Sequence, residues 1–332
     1  MNVPIFSQSR KRLEKQGAPG PCRVDQFVVP LPDAIARFGG AVRASLCGAS
    51  QAPVVIVVGG ISANHLPCIT PQGSNGWWAA VAGERQAIDP SCFRILGIEF
   101  AADPSGILAP STRDQAAAIS AVLDALRIER AHAIVGASYG GMAALALAQH
   151  FPSRIERLAI ISAPAAPHPA ATAARELQRR IVLLGIAAGR GPEGLAIARG
   201  LAMLTYRTRD EFERRFRGGA SGEHADQSSE PGAYLRARGE DFISIMSEGR
   251  FLSLSAAIDR HQVDPPEIKT PALLIGSASD QLVPPGQIEE LAAFYGGPAS
   301  FHLLPSFYGH DMFLKDAARV SELVGPFLRS KP

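Results

Sequence analysis

The tract Gly136-Ala137-Ser138-Tyr139-Gly140-Gly141 stands between an apolar run, His132 to Val135, and a run of small residues, Met142 to Gln149. Apolar run, small-residue turn and second small-residue run read as strand, sharp turn and helix, with a serine at the apex. A serine hydroxyl is a weak nucleophile until a base takes its proton and donors meet the oxyanion it generates. A strand-to-helix elbow lifts the hydroxyl clear of the backbone and aims a helix N-terminus at the reaction. Gly136 and Gly140 suit so crowded a turn, because a Cβ there meets neighbouring backbone. Ser138 is the candidate nucleophile.

The elbow fits a series of buried-strand patterns. Pro53 to Val58 is a continuous β-branched run ending in Gly59-Gly60, as in a parallel sheet covered on both faces. Phe93 to Phe100, Ala133 to Val135, Leu158 to Ser162, Ala272 to Gly276 and Ser300 to Leu304 continue the series. Thr112 to Leu126 reads as a helix with a capping box at Thr112 and Gln115, and Val320 to Leu328 as another. Strands alternating with helices imply an α/β fold with a mainly parallel sheet flanked by helices. Between Ala163 and Lys269 the buried-strand signal stops, and an Ala/Arg-rich helical pattern takes over, with a Gly/Ser/acid loop at Gly218 to Gly232. The expected organisation is a mobile tail over residues 1–20, a core over 21–162 and 270–332, and an inserted helical cap over 163–269.

A nucleophilic serine in this setting needs an acid and then a base downstream. Asp280 follows the strand ending at Gly276, at the ligand face of the sheet, and suits the acid that orients an imidazole. His310, in Tyr308-Gly309-His310-Asp311 after the last strand, suits the base. His302 sits inside a strand and reads as structural; His65, His132 and His150 precede Asp280 and fall outside the chain order. The oxyanion donors expected are the amide of Tyr139 and that of Ile61, in the Gly59-Gly60-Ile61-Ser62 loop.

Composition narrows the alternatives. The 33 basic residues nearly balance the 31 acidic ones, which argues against a nucleic-acid protein or a polybasic membrane binder. No apolar run approaches the roughly 18 residues needed to span a bilayer. Met1 to Gln16 is polar and basic and unlike a secretory leader. Cys22, Cys47, Cys68 and Cys92 make neither a CxxC pair nor a zinc spacing, so they are expected to be reduced thiols of a cytoplasmic protein, with no metal.

Several segments together resemble the homoserine O-acyltransferases of the α/β-hydrolase fold. Gly309-His310-Asp311-Met312-Phe313-Leu314 is similar to the family's G-H-D-x-F-L signature, and Gly136 to Met142 to its elbow. Asp280 to Pro284 is similar to its acid motif, and Trp77-Trp78 and Ala87-Ile88-Asp89 to two further segments. In the cap, Leu204-Thr205-Tyr206-Arg207-Thr208, Tyr234-Leu235-Arg236 and Phe251 to Leu254 resemble family blocks. The resemblance runs from about Pro53 to Leu328. It implies Ser138, Asp280 and His310 as the triad and Arg207 and Asp311 as ligands of the amino-acid acceptor. It also implies acyl-CoA and L-homoserine as substrates, no resident cofactor, and a homodimer formed through the cap.

Three loops depart from the family pattern. Gly59 to Ala63 stands in place of H-A-L-T-G, Tyr139 in place of Met, and Ala101 to Ser111 is shortened. These loops shape the donor pocket, so acetyl-CoA and succinyl-CoA both stay open as donors, and homoserine and serine as acceptors. An esterase or thioesterase shares the same triad, and a non-catalytic binding protein shares the scaffold.

Overall fold

The computed structural model describes residues 23–70, 75–219, 224 and 229–330. The tail expected over residues 1–20 lies outside the described residues, as does most of the loop expected from Gly218 to Gly232.

Eight strands form one sheet: β1 (Val24–Pro30), β2 (Ala41–Cys47), β3 (Val54–Val58), β4 (Arg94–Ile98), β5 (Ala133–Ala137), β6 (Leu158–Ile161), β7 (Ala272–Ser277) and β8 (Ala299–Leu304). Their order across the sheet is β1-β2-β4-β3-β5-β6-β7-β8. From β4 to β8 every neighbouring pair is parallel, while β2 runs antiparallel to both β1 and β4. The central strands are Val/Ile/Leu-rich and buried at every position but Val54, because helices cover both faces.

Alternation along the strands sorts the core into two layers. Ile56, Val58, Ile134, Ile160 and Leu274 face α1 (Thr112–Ala125) and α2 (Tyr139–His150). Val55, Val57, Val135, Ile161 and Ile275 face Trp78 and the C-terminal end of the chain. The cap of α1 lies one residue earlier than expected. Ser111 accepts from the Asp114 amide, and the Asp114 carboxylate accepts from the Ser111 amide in return. Gln115 is drawn inward instead, bonding both the N–H and the C=O of Ala101.

Between β6 and β7 the chain runs through α3 (Pro169–Ala187), α4 (Gly191–Tyr206), α5 (Arg209–Arg215), α6 (Glu230–Ile243) and α7 (Glu248–Asp259). Val182, Leu195, Ala198, Phe242, Phe251 and Leu252 give these helices a small apolar core of their own. Arg175 and Arg179 of α3 both bind the Asp259 carboxylate of α7, at 2.6 and 2.7 Å, which ties the first and last helices together. The remaining helices are α8 (Pro285–Phe294), the short α9 (Met312–Lys315) and α10 (Ala317–Arg329).

Among the described residues, the cysteines depart from expectation at Cys47. Cys47 is disulfide-bonded, whereas buried Cys68 and exposed Cys92 are free. Wide spacing in sequence carries no information on Cα separation in the fold, which is what permits a disulfide. Burial pushes the Cys68 thiol up to about 12, so it is inert at neutral pH. Among the described residues no helix is long and apolar enough to cross a membrane.

Candidate active site

β5 delivers Ser138 to the C-terminal edge of the sheet, and α2 starts on the next residue. The turn is tight enough to hold Ser138 at φ 55°, ψ −124°, a conformation that costs an ordinary residue about 1–3 kcal/mol. Packing enforces it: a Cβ on Gly140 would sit 2.3 Å from the Val58 carbonyl oxygen, so the helix start presses directly on β3. The Gly140 N–H donates to Gly59 O at 2.8 Å and fixes that contact.

Asp280 stands just past β7. Its Oδ1 accepts from the Leu282 and Val283 amides, both at 2.9 Å. This leaves Oδ2 aimed at His310 Nδ1, 2.8 Å away. His310 comes from a 3₁₀ turn over Gly309–Asp311, after β8. Gly309 makes that turn possible, with φ at +56° and a Cβ position 2.7 Å from the Tyr206 carbonyl. His310 Nε2 lies 2.9 Å from Ser138 Oγ. Hydroxyl, imidazole and carboxylate, successively 172 and 30 residues apart in the chain, form one hydrogen-bonded line.

The electrostatics favour a working base. Burial by itself lowers the His310 pKa. The charge and hydrogen bond of Asp280, with the charge of Asp311, more than offset it, and the net shift is upward. An imidazolium formed by taking the serine proton is therefore stabilised where it is made. The two amides expected to hold the oxyanion are both unengaged. Among the described residues, neither the Ile61 N–H nor the Tyr139 N–H donates to a protein acceptor. Tyr139 is locked by its wholly buried ring, edge-on to Phe100 at 4.8 Å. Ile61 packs against both the main core and the core of the α3–α7 helices.

Ser138 and His310 open into a cavity of about 170 Å³ under α3 and α4, with Gly60, Ile61, Trp77 and Asp311 also on its wall. Asp311 faces it as a desolvated carboxyl. Burial raises its pKa, against the pull of His310, Arg207, Lys315 and Arg199. Arg207 is held beside Asp311 by ion pairs. Its Nη1 donates to Glu211 at 3.0 Å, and its Nε lies 3.5 Å from Asp311. Lys315 also binds Glu211. Arg207 is therefore ion-paired to Glu211 and to Asp311, the other residue that the resemblance implies for the acceptor.

Arg175 and Arg199 do line the cavity, and sequence reasoning passed over both. The signal for Arg199 was its seven-residue spacing from Tyr206, two turns along one helix face. His302 lies on β8 opposite Ile275, and His132 bonds Leu328 O and Glu156, so neither competes with His310 as base.

The comparisons with known proteins agree with this architecture. A family model for the α/β-hydrolase fold matches residues 53–317. The chain is 38% identical over 291 residues to a homoserine O-succinyltransferase of Xanthomonas campestris pv. campestris, spanning 87% of this chain and 79% of that protein. It is 30% identical over 287 residues to a homoserine O-acetyltransferase of Thermus thermophilus, spanning 77% and 73%. The crystal structure of homoserine O-acetyltransferase from Bacillus anthracis superposes with a TM-score of 0.82 at 16% identity, over 94% of this chain and 99% of that one, a likeness of fold. With an α/β-hydrolase sheet, a serine elbow and likeness to acyltransferases of this type over most of its length, the chain belongs to the homoserine O-acyltransferase family.

Proposed function

We propose that this protein transfers an acyl group from acetyl-CoA or succinyl-CoA to the hydroxyl of L-homoserine, a step in methionine biosynthesis, through an acyl-serine intermediate. His310 Nε2 takes the Ser138 proton as Oγ attacks the thioester carbonyl. The amides of Ile61 and Tyr139 hold the oxyanion. When the tetrahedral intermediate collapses, the C–S bond breaks, and coenzyme A leaves as the thiol with the proton from His310. Homoserine then enters, gives its hydroxyl proton to His310 and attacks the acyl-serine. The ester forms and Ser138 regains its proton. His310 handles each proton in this cycle, and acyl-CoA enters as a substrate, so the scheme uses no resident cofactor or metal.

The observation that carries the reading is Asp311 on the cavity wall, in the residue next to the base. A carboxylate there suits the ammonium of an amino acid and brings its hydroxyl to His310. An esterase acting on neutral esters has no use for a buried anion at that point, which costs free energy to desolvate. The helices α3 and α4 over the cavity shield it in part from water, the competing acceptor.

The same reading takes the protein as a cytoplasmic homodimer. Leu183, Leu184 and Ile186 of α3, with Ile197 and Leu204 of α4, leave an exposed apolar surface on the inserted helices suited to a second copy.

A thiol-release assay tests the function. Acetyl-CoA and succinyl-CoA are each supplied alone, with homoserine, and with serine. Release that requires an amino acid supports acyl transfer and identifies both substrates. Release at the same rate without any acceptor favours a thioesterase and contradicts the proposal.

A further inference from the structure

We infer that Arg199 is a carboxylate-binding residue of this cavity, holding a carboxylate of one of the two substrates. The inference rests on the acyl-transfer reading and adds a residue to it. Three arginines surround the site, and two are already neutralised. Arg175 is bound to Asp259 at 2.6 Å. Arg207 is bound to Glu211 and lies beside Asp311. Arg199 lines the same cavity as Ser138, His310 and Asp311, yet among the described residues it forms neither an ion pair nor a hydrogen bond.

Its guanidinium is nonetheless held between two rings. The guanidinium carbon lies 5.3 Å from the centroid of the Tyr206 ring and 4.8 Å from that of Phe242. Aromatic contact engages the faces of a guanidinium and leaves the N–H groups around its edge free. Five donors on a planar fork, held by two rings and half-buried at a cavity wall, match the paired oxygens of a carboxylate. Tyr206 also ties the group to the chemistry, since its ring lies 5.8 Å from that of His310.

Two sources present this chemistry. One is the α-carboxylate of the amino-acid acceptor. Arg199 and Asp311 then complement the two charges of a zwitterion, and the cation acts on Asp311 across the cavity. The other is the distal carboxylate of a succinyl donor.

The test measures kcat and KM for the wild type, Arg199→Gln and Arg199→Lys with four substrate pairs. Succinyl-CoA or acetyl-CoA is the donor, and homoserine or 3-amino-1-propanol, which lacks the carboxylate, is the acceptor. Arg199→Gln is expected to lose on the order of 10²-fold in kcat/KM, chiefly through KM, wherever the recognised carboxylate is present. If the acceptor supplies it, the penalty survives the change to acetyl-CoA and falls away with aminopropanol. If the donor supplies it, the penalty falls away with acetyl-CoA and survives with aminopropanol. Arg199→Lys keeps the charge and the stem between the two rings. It should show a smaller penalty with the same substrate dependence, which a general loosening of the helices would not produce.

A penalty of equal size in all four pairs, or none in any, overturns the inference while leaving acyl transfer intact. A wild type that transfers no acyl group in any pair overturns both.

Discussion

Replacing Asp280 with asparagine changes one oxygen to an NH₂ group where the base is held. The carboxylate is wholly enclosed, with Oδ1 accepting two backbone amides and Oδ2 accepting the His310 Nδ1–H at 2.8 Å. Asparagine keeps the two amides on its oxygen and turns its NH₂ toward Nδ1. Two donors then face each other unless the imidazole moves its proton to Nε2. In that tautomer Nε2 donates to Ser138 Oγ and cannot accept its proton. Breaking a buried charged pair costs about 3–5 kcal/mol, or roughly 10²–10⁴-fold in rate, and wrong-tautomer substitutions in serine triads fall near the upper end. The expected loss in acylation rate is therefore about 10³–10⁴-fold.

The pH profile supplies the second half of this prediction. Folded His310 titrates above its ordinary value of 6.5 because Asp280 outweighs burial. The neutral, proton-accepting form thus appears only as pH rises through the raised pKa, and the wild-type acylation limb lies on the alkaline side of 6.5. Without the carboxylate, burial dominates and the limb of the residual activity moves to lower pH. Rapid-mixing thiol release across pH, with thermal melts to show that both proteins are folded, reads both quantities. A loss under tenfold together with an unmoved limb would refute the orienting role of Asp280.

Other substitutions test the scaffold. Gly140→Ala places a methyl 2.3 Å from the Val58 carbonyl oxygen, so the elbow must shift. Melting should drop by the equivalent of about 2 kcal/mol or more, with acylation lost to a greater degree than stability. Asp259→Asn leaves Arg175 and Arg179 without their shared carboxylate at a largely buried position and should cost about 3 kcal/mol or more. Limited proteolysis should then cut first within α3–α7. Light scattering should find a dimer, and Leu184→Glu, at an exposed apolar position on α3, should shift it toward monomer.

What the sequence made legible follows physical lines. The elbow and the parallel strands were visible because buried strands are continuous apolar runs, and a serine between strand and helix patterns is a local signal. Asp280 and His310 followed from chain order, since each sits at a strand's C-terminal end. β1 escaped notice because most of its residues are exposed at the sheet edge, and β2 because Arg43 and Ser45 interrupt its apolar pattern. The capping box was misplaced by one residue because Ser111 and Thr112 are both competent caps, and only the burial of Gln115 decides between them. Around the cavity, side-chain direction was the hidden quantity. Arg175, Arg199 and Arg207 look alike in sequence, and their neutralisation by Asp259, by nothing, and by Glu211 depends on how α3, α4, α5 and α7 pack.

The most direct measurement is the mass of the protein after brief exposure to acyl-CoA without acceptor. The account predicts one acyl adduct on the peptide bearing Ser138, absent in Ser138→Ala and discharged by homoserine with formation of its O-acyl ester. An unmodified Ser138 in a protein that still turns over acyl-CoA and homoserine would contradict it.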